Sequence, residues 1–396
     1  MQKKNFLYLI LGFVLSSTNL FSQTENPITT AVPFLQIAPD ARGGGMGDVG
    51  VSTSPDAFSL YWNPAKLAFS EKDFGVGLSY VPWLRGLVND IGLTTVSGFK
   101  KFGDKQAVGM SIRYFSMGEV NYTDEYGVDA GTAKPNEFSI DATYSRKFSQ
   151  SISGAVAGRF IYSNLTPGLQ SNVTSTKAGI SVAADIALYY TKELGISGLA
   201  GSYINVGLDI SNIGAKISYG STSNINDFLP TNLRLGPTLT LDIDEFNRFS
   251  ISVDINKLLV PTPPIYQKDS MGLIVYDPAT NKPIIEKGKD DNVSPITGMF
   301  QSFYDAPNGF KEEMQEVILA GAAEYWYNKL FAIRAGYFYE NKYKGNRQFF
   351  TLGAGLRYNV FGLDFSYLIP VQQNNPLQNT MQFTLLFNFD KAEGKK

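Results

Sequence analysis

Gly45-Met46-Gly47-Asp48-Val49-Gly50 has the GxGxxG form that cradles a dinucleotide pyrophosphate. That chemistry needs a strand before the motif and a helix after it, within a βαβ unit. Here a loop containing Pro39 precedes it and Pro55 follows. Glycines that let backbones pack closely are the better account. Asp141, Asp185, Asp209, Asp254 and Asp364 recur along the chain, with Arg113, Arg159, Arg234, Arg334 and Arg357 among them. No carboxylate cluster shows the spacing of an acid–base pair. The chain has no histidine and no cysteine, which excludes a zinc site of the usual kind, Ser-His and Cys-His nucleophiles and a disulfide framework. We expect no enzyme, no catalytic residue, no metal and no cofactor. Lys+Arg 34 against Asp+Glu 36 gives net −2, so no basic field for nucleic acid exists.

The elements that carry these charges alternate with period two. In Phe138-Ser139-Ile140-Asp141-Ala142-Thr143-Tyr144-Ser145 the apolar side chains share one face and the polar ones the other. The same pattern runs through Ile180–Tyr190, Ile204–Ile210, Phe249–Ile255 and Leu363–Tyr367. Fourteen runs follow it: 74–82, 88–101, 105–118, 136–148, 152–163, 176–190, 203–213, 231–242, 246–258, 315–328, 330–340, 347–359, 361–369 and 380–390. Many reach the 9–11 residues or so that a tilted strand needs to cross a bilayer. Only 18% of the residues are charged, below the quarter or so usual for soluble domains. The fold class expected is all-β: a 14-stranded antiparallel transmembrane β-barrel over 74–390, with an N-terminal plug segment. A soluble sandwich or propeller would have shorter strands. Tyr325-Trp326-Tyr327, Tyr337-Phe338-Tyr339, Tyr189-Tyr190 and Tyr80/Trp83 read as interface girdles.

Short and long connections nearly alternate, as in outer-membrane barrels with short periplasmic turns. The long ones are 119–135, 164–175, 214–230 and 259–314; a 12-residue gap at 191–202 is the exception. An even strand number places both termini in the periplasm. Met1-Gln2-Lys3-Lys4 followed by the apolar Phe6–Leu15 reads as a secretory signal peptide over 1–22. Residues 391–396 form a polar tail, here expected in the periplasm.

Residues 23–73 are expected to form an N-terminal plug or periplasmic segment, within which 27–70 do not alternate. We expect 27–70 to fold into the lumen as a plug, with a periplasmic extension as the plainer alternative. Asp40, Arg42 and Asp56 are expected to pair with lumenal charges, beside Trp62, Asn63, Arg113, Arg159, Asp185, Asp209, Asp254 and Arg357. The 56-residue stretch 259–314 is far longer than an ordinary loop. Its start, Val260-Pro-Thr-Pro-Pro264, is expected to project the chain outward. Tyr266, Tyr276, Phe300, Phe303, Tyr304 and Phe310 are its candidate partner-binding residues. A loop folded over its own barrel mouth is the competing reading.

The segment Pro39-Asp-Ala-Arg-Gly-Gly-Gly-Met-Gly-Asp-Val-Gly-Val51, the pair Asp56-Ala57 and the run Tyr61-Trp-Asn-Pro-Ala-Lys66 resemble the PorV family of the Bacteroidetes type IX secretion system. The architecture is also similar to FadL-type channels, which carry an N-terminal plug. The resemblance implies a non-enzymatic outer-membrane adaptor or shuttle. Its partners would be the C-terminal domains of secreted cargo, the large translocon barrel, and a surface attachment complex with a sortase-like protein. The alternative function is a FadL-like channel for hydrophobic small molecules.

Overall fold

A computed structural model of the chain describes residues 26–123, 126–167, 177–220 and 226–390. The signal-peptide reading of 1–22 and the tail 391–396 lie outside them. The strands are β1 (Phe74–Pro82), β2 (Ile91–Phe102), β3 (Gln106–Met117), β4 (Val120–Thr123), β5 (Asp129–Ala133), β6 (Asn136–Lys147), β7 (Ile152–Asn164), β8 (Gly179–Glu193) and β9 (Gly201–Gly214). They continue as β10 (Asn232–Asp242), β11 (Asn247–Leu258), β12 (Ile265–Tyr266), β13 (Ile285–Lys287), β14 (Ile318–Tyr327), β15 (Phe331–Tyr339), β16 (Gln348–Tyr358), β17 (Phe361–Pro370) and β18 (Met381–Phe389). Four short helices are α1 (Ala41–Gly44), α2 (Ser59–Trp62), α3 (Pro295–Gln301) and α4 (Phe310–Gln315).

Fourteen strands close an antiparallel barrel in the order β1-β2-β3-β6-β7-β8-β9-β10-β11-β14-β15-β16-β17-β18. β18 pairs back onto β1, with Val76 opposite Phe387 and Leu78 opposite Leu385. Closure leaves no row of unpaired backbone groups facing lipid. Among the described residues no helix is long and apolar enough to cross a membrane. The alternating runs match these strands to within three residues at each end. Along β8, Ile180, Val182, Ile186 and Leu188 face outward and exposed, while Ser181, Ala183, Asp185 and Ala187 are buried inward.

The 12-residue exception disappears. Thr191, Lys192 and Glu193 extend β8 by pairing with Asn205, Ile204 and Tyr203. Only 194–200 remains as a turn, with Gly195 and Gly198 at positive φ. The polar residues broke the apolar alternation but not the ladder, because backbone pairing continues past the last lipid-facing side chain. The aromatic girdles need a second correction. Phe338 and Tyr189 are buried inside, and Trp83 packs on lumenal clusters, whereas Tyr80 and Tyr327 are exposed outside. Neighbouring residues on a strand point to opposite faces, so a run of adjacent aromatics cannot lie wholly on one.

Residues 26–73 run down the inside of the wall. Asn26 lies at the long-loop mouth, its backbone N–H on the Tyr343 carbonyl at 3.3 Å. Ala31 N–H reaches the Phe228 carbonyl at 3.0 Å. At the opposite mouth the Asp73 N–H reaches the Phe389 carbonyl at 3.1 Å. The first and last strand ends therefore share a mouth, as the even strand count implies, while the inner segment starts at the opposite one.

Candidate functional site

Two regions hold the side chains singled out in the sequence: the inner segment against the wall, and the long loop between β11 and β14.

The inner segment meets the wall through three kinds of contact. Apolar packing dominates near the long loops, where Val32, Phe34, Leu35 and Ile37 sit among Val81, Leu93, Phe115, Ile161, Ile217 and Leu229. Backbone groups then find wall side chains, as buried polar groups must. Ala41 N–H donates to Thr384 Oγ1 at 2.9 Å and Gly47 N–H to Thr351 Oγ1 at 2.8 Å. Gly50 and Val51 N–H both donate to the Asp254 carboxylate, at 2.8 and 2.9 Å. A Cβ on Gly207 would collide with the Val51 carbonyl, so this glycine lets the segment touch the wall backbone. Gly47, at φ +65, turns the chain against Gly336 and Tyr337. The GxGxxG glycines thus serve turning and close packing.

Charges supply the third kind. Arg42 bonds Asp56 at 3.0 Å within the segment and Glu324 of β14 at 2.9 Å. Asp40 does not pair with a wall arginine: it accepts from Gly43 N–H, as the cap of α1, and from Trp62 Nε1 at 2.7 Å. Its neighbouring helix end and indole satisfy it before any wall cation does. Asn63 donates to the Val51 and Leu188 carbonyls. Lys66 Nζ is buried on the Gly50 carbonyl at 2.6 Å. On the wall, Arg159 joins Asp141 to Asp185 across three strands, and Arg113 sits 3.5 Å from Asp141. Asp209 lies opposite Arg234 in the β9–β10 register, with neither carboxylate oxygen hydrogen-bonded. Arg357 pairs with Asp364 at 2.6 Å rather than with the segment. Arg334 bridges Glu324 and Asp364. Glu324 and Lys66 were missed as site residues; Glu324 was readable as the polar phase of its strand.

A cavity of about 370 Å³ opens at the short-turn mouth, lined by Arg42, Asp56, Phe99, Arg248, Trp326 and Arg357 among others. Among the described residues no group of three acidic, histidine or cysteine side chains could hold a metal ion.

The loop 259–317 is folded. β12 and β13 pair as a two-stranded sheet, and α3 and α4 follow. Its Pro-rich start does not project. Leu259, Val260 and Thr262 are buried, with Leu259 N–H on the Thr231 carbonyl at 2.8 Å. Proline stiffness here keeps the chain down on the mouth. The loop base is a buried charge cluster. Lys257 Nζ contacts Glu316 at 2.6 Å and Glu313 at 3.2 Å. Lys344, from the β15–β16 connection, contacts Glu312 at 2.6 Å and Glu316 at 2.9 Å. Thr262 donates from Oγ1 to Glu316 and from its N–H to Asp305. Burial, then the neighbouring Glu313 and Glu316, pushes the Asp305 carboxyl up to about 6. Burial works against the charged form of Glu312, but the hydrogen bonds from Lys344, Asn308 and Asn26 and the Lys344 charge together outweigh it and hold that carboxyl below its ordinary range.

Large apolar side chains of the loop are open to solvent, Phe303 beside the base lysine Lys257 among them. Tyr276, Phe300, Phe303, Tyr304 and Phe310 are all exposed, Phe300 by 67% and Phe310 by 77%, while Tyr266 in β12 is half-buried. Ile296 and Met314 are exposed as well.

A family model described as type IX secretion system protein PorV matches residues 21–265, more than half of the chain. The chain belongs to the PorV family. PorV membership and the closed barrel together point to the outer membrane. The PorV match takes in the inner segment and the strands through β11, and it ends at Ile265, so the loop's helices lie beyond it. No curated protein matches the chain. Among solved structures, the Ralstonia pickettii toluene transporter TbuX is similar at 12% identity and TM-score 0.48, over 90% of this chain and 99% of that one. The Pseudomonas putida toluene transporter TodX is similar at 12% identity and TM-score 0.47, over 92% and 98%. A Pseudomonas aeruginosa FadL homologue is similar at 11% identity and TM-score 0.43, over 93% and 100%.

Proposed function

We propose that this PorV-family chain is a non-enzymatic outer-membrane adaptor of type IX secretion. It binds the C-terminal domains of exported cargo, associates with the large translocon barrel, and passes cargo to a surface complex with a sortase-like protein. The segment 27–70 acts as its plug. The short turns face the periplasm and the loop 259–317 faces outward, as in other outer-membrane barrels. One observation carries the reading: a firmly based outer loop that presents Phe300, Phe303, Tyr304 and Phe310 to solvent. Aromatic side chains on an ordered base are the usual anchors of protein contacts.

The test replaces residues 262–312 with a short Gly/Ser linker; Lys257 keeps Glu313 and Glu316 and Lys344 keeps Glu316, so no ammonium stays buried without a carboxylate. The barrel should assemble at a normal level while cargo export fails. Normal export with the loop gone would refute the adaptor. A second reading, a channel for hydrophobic small molecules, draws on the cavity beside Phe99, Trp326 and Leu386. It predicts unchanged export and altered small-molecule uptake.

A further inference from the structure

The loop base and the head of the inner segment meet at one side chain. Glu312 accepts from Lys344 Nζ at 2.6 Å and, on the same oxygen, from Asn26 Nδ2 at 3.3 Å. Its other oxygen accepts from Asn308, through the backbone N–H and Nδ2, both at 2.9 Å. Asn26 Nδ2 also donates to the Pro263 carbonyl at 3.1 Å, and its N–H to the Tyr343 carbonyl. Three separate parts of the chain therefore close on one another at the mouth: the inner segment, both ends of the 259–317 loop, and the 340–347 connection. The cluster is a formal excess of negative charge, since Lys257 and Lys344 pair with Glu312, Glu313 and Glu316, and Asp305 lies beside the last two. Such an arrangement has little slack: each ammonium serves two carboxylates, and losing one rearranges the others.

We propose that the outer loop and the head of the inner segment form a latch that opens as one unit, with Glu312 as its shared catch. Displacing α4 from the mouth withdraws Glu312 from Asn26 and Lys344 together. The Asn26 and Ala31 backbone bonds to Tyr343 and Phe228 then lose their nearest support. Conversely, freeing Asn26 loosens α4, because coupling between two elements is reciprocal. A partner seated on Phe300 and Phe310 would thereby reach the lumen; this last step rests on the adaptor reading, and the latch itself does not.

Hydrogen exchange on the full-length barrel in detergent reads both ends at once. Glu312→Gln removes the charge at the catch, and Asn26→Ala removes the other half without disturbing any ion pair. Lys289→Met is the control, since Lys289 stacks on Tyr304 at 3.7 Å, on the loop surface and away from the catch. Glu312→Gln should raise exchange about tenfold or more, the scale of a lost charged hydrogen bond, in 26–37 as well as in 305–317. Asn26→Ala should raise exchange in 305–317, across the latch from the substitution. Lys289→Met should leave 26–37 unchanged. If Glu312→Gln lowers the yield of folded barrel, Asn26→Ala alone decides. Changes confined to the substituted segment in both variants would overturn the latch.

Discussion

The inner segment and the outer loop both leave the sheet, and they distribute their side chains in opposite ways. The inner segment buries Phe34, Leu35, Met46, Val49, Phe58 and Leu67 and spends its polar groups on the wall. The loop buries Asp305, Glu312, Glu313 and Glu316 and leaves Phe300, Phe303, Tyr304 and Phe310 in water. Leaving a large apolar side chain exposed forgoes about 1.5–3 kcal/mol of burial. Burying charges costs desolvation that only close pairing offsets. The loop accepts both terms at once. Its fold is complete only at the base, and its outer face suits a partner that would cover the aromatics. The inner segment has no such surplus: its fold is finished inside the barrel.

The largest test of that contrast removes the finished part. Deleting 27–70 strips the lumen of its apolar clusters and of the groups that satisfy Thr384, Thr351 and Asp254. The intact protein should show little steady conductance in planar bilayers, and the deletion should raise it strongly. Large, stable conductance from the intact chain would show that the segment does not close the lumen.

Next in size is the wall that both regions depend on. Leu208 shares the outward phase of β9 and Asp209 the inward one, where Asp209 is 1% exposed. Leu208→Arg should block assembly, because a charge on the lipid face costs about 2–4 kcal/mol near the midplane. Asp209→Asn should be mild, since no hydrogen bond is lost. The readout is the gel mobility shift between unboiled and boiled protein. Equal behaviour of the two variants would mean that the faces are swapped.

A more local effect, confined to the loop and sparing barrel assembly, is expected at the loop base. Lys344→Met leaves Glu312 without its ammonium, and breaking a buried pair costs about 3–5 kcal/mol. The loop should become sensitive to limited proteolysis near 265–290 while the barrel stays heat-modifiable. Resistance equal to wild type would show that the cluster does not hold the loop.

The smallest effect is that of pH. The Asp305 carboxyl titrates near 6 in the folded loop, above the value of about 3.9 in an unfolded chain. The folded loop therefore binds the extra proton between those values. Asp305 favours docking most at and below about pH 4, and its contribution falls as pH rises to 6 and is flat beyond. Glu312 acts in the other sense: its lowered value stabilises docking above the ordinary carboxylate range and is lost in stronger acid. Loop protection, taken relative to the intrinsic amide exchange rate at each pH, should fall between about pH 4 and 6, and Asp305→Asn should flatten that fall. An unchanged slope in the variant would remove Asp305 from the account.

Much of this was legible in the residues, and the boundary is physical. Strand alternation reports two-sided burial, so all fourteen barrel strands and the inward phase of Asp141, Asp185, Asp209 and Asp254 could be read directly. β4, β5, β12 and β13 escaped because short hairpins beyond the membrane need no alternation. Charge alone suggests a wall partner for Asp40, whereas a local cap and the Trp62 indole lie closer. The loop base escaped because Lys257, Lys344 and Glu312 are joined only by the fold. Prolines 261, 263 and 264 imply stiffness, but stiffness does not say in which direction the chain is held.

The central claim is that the loop's aromatic face holds the secretion partners. The most direct measurement substitutes Phe300, Phe303, Tyr304 and Phe310 together with serine and follows co-purification of the translocon barrel and cargo from outer membranes. Each side chain is exposed, so folding should be spared. The account predicts a heat-modifiable barrel at normal level, loss of both partners, and cargo retained in the periplasm. Full retention of both partners on the quadruple variant would contradict it.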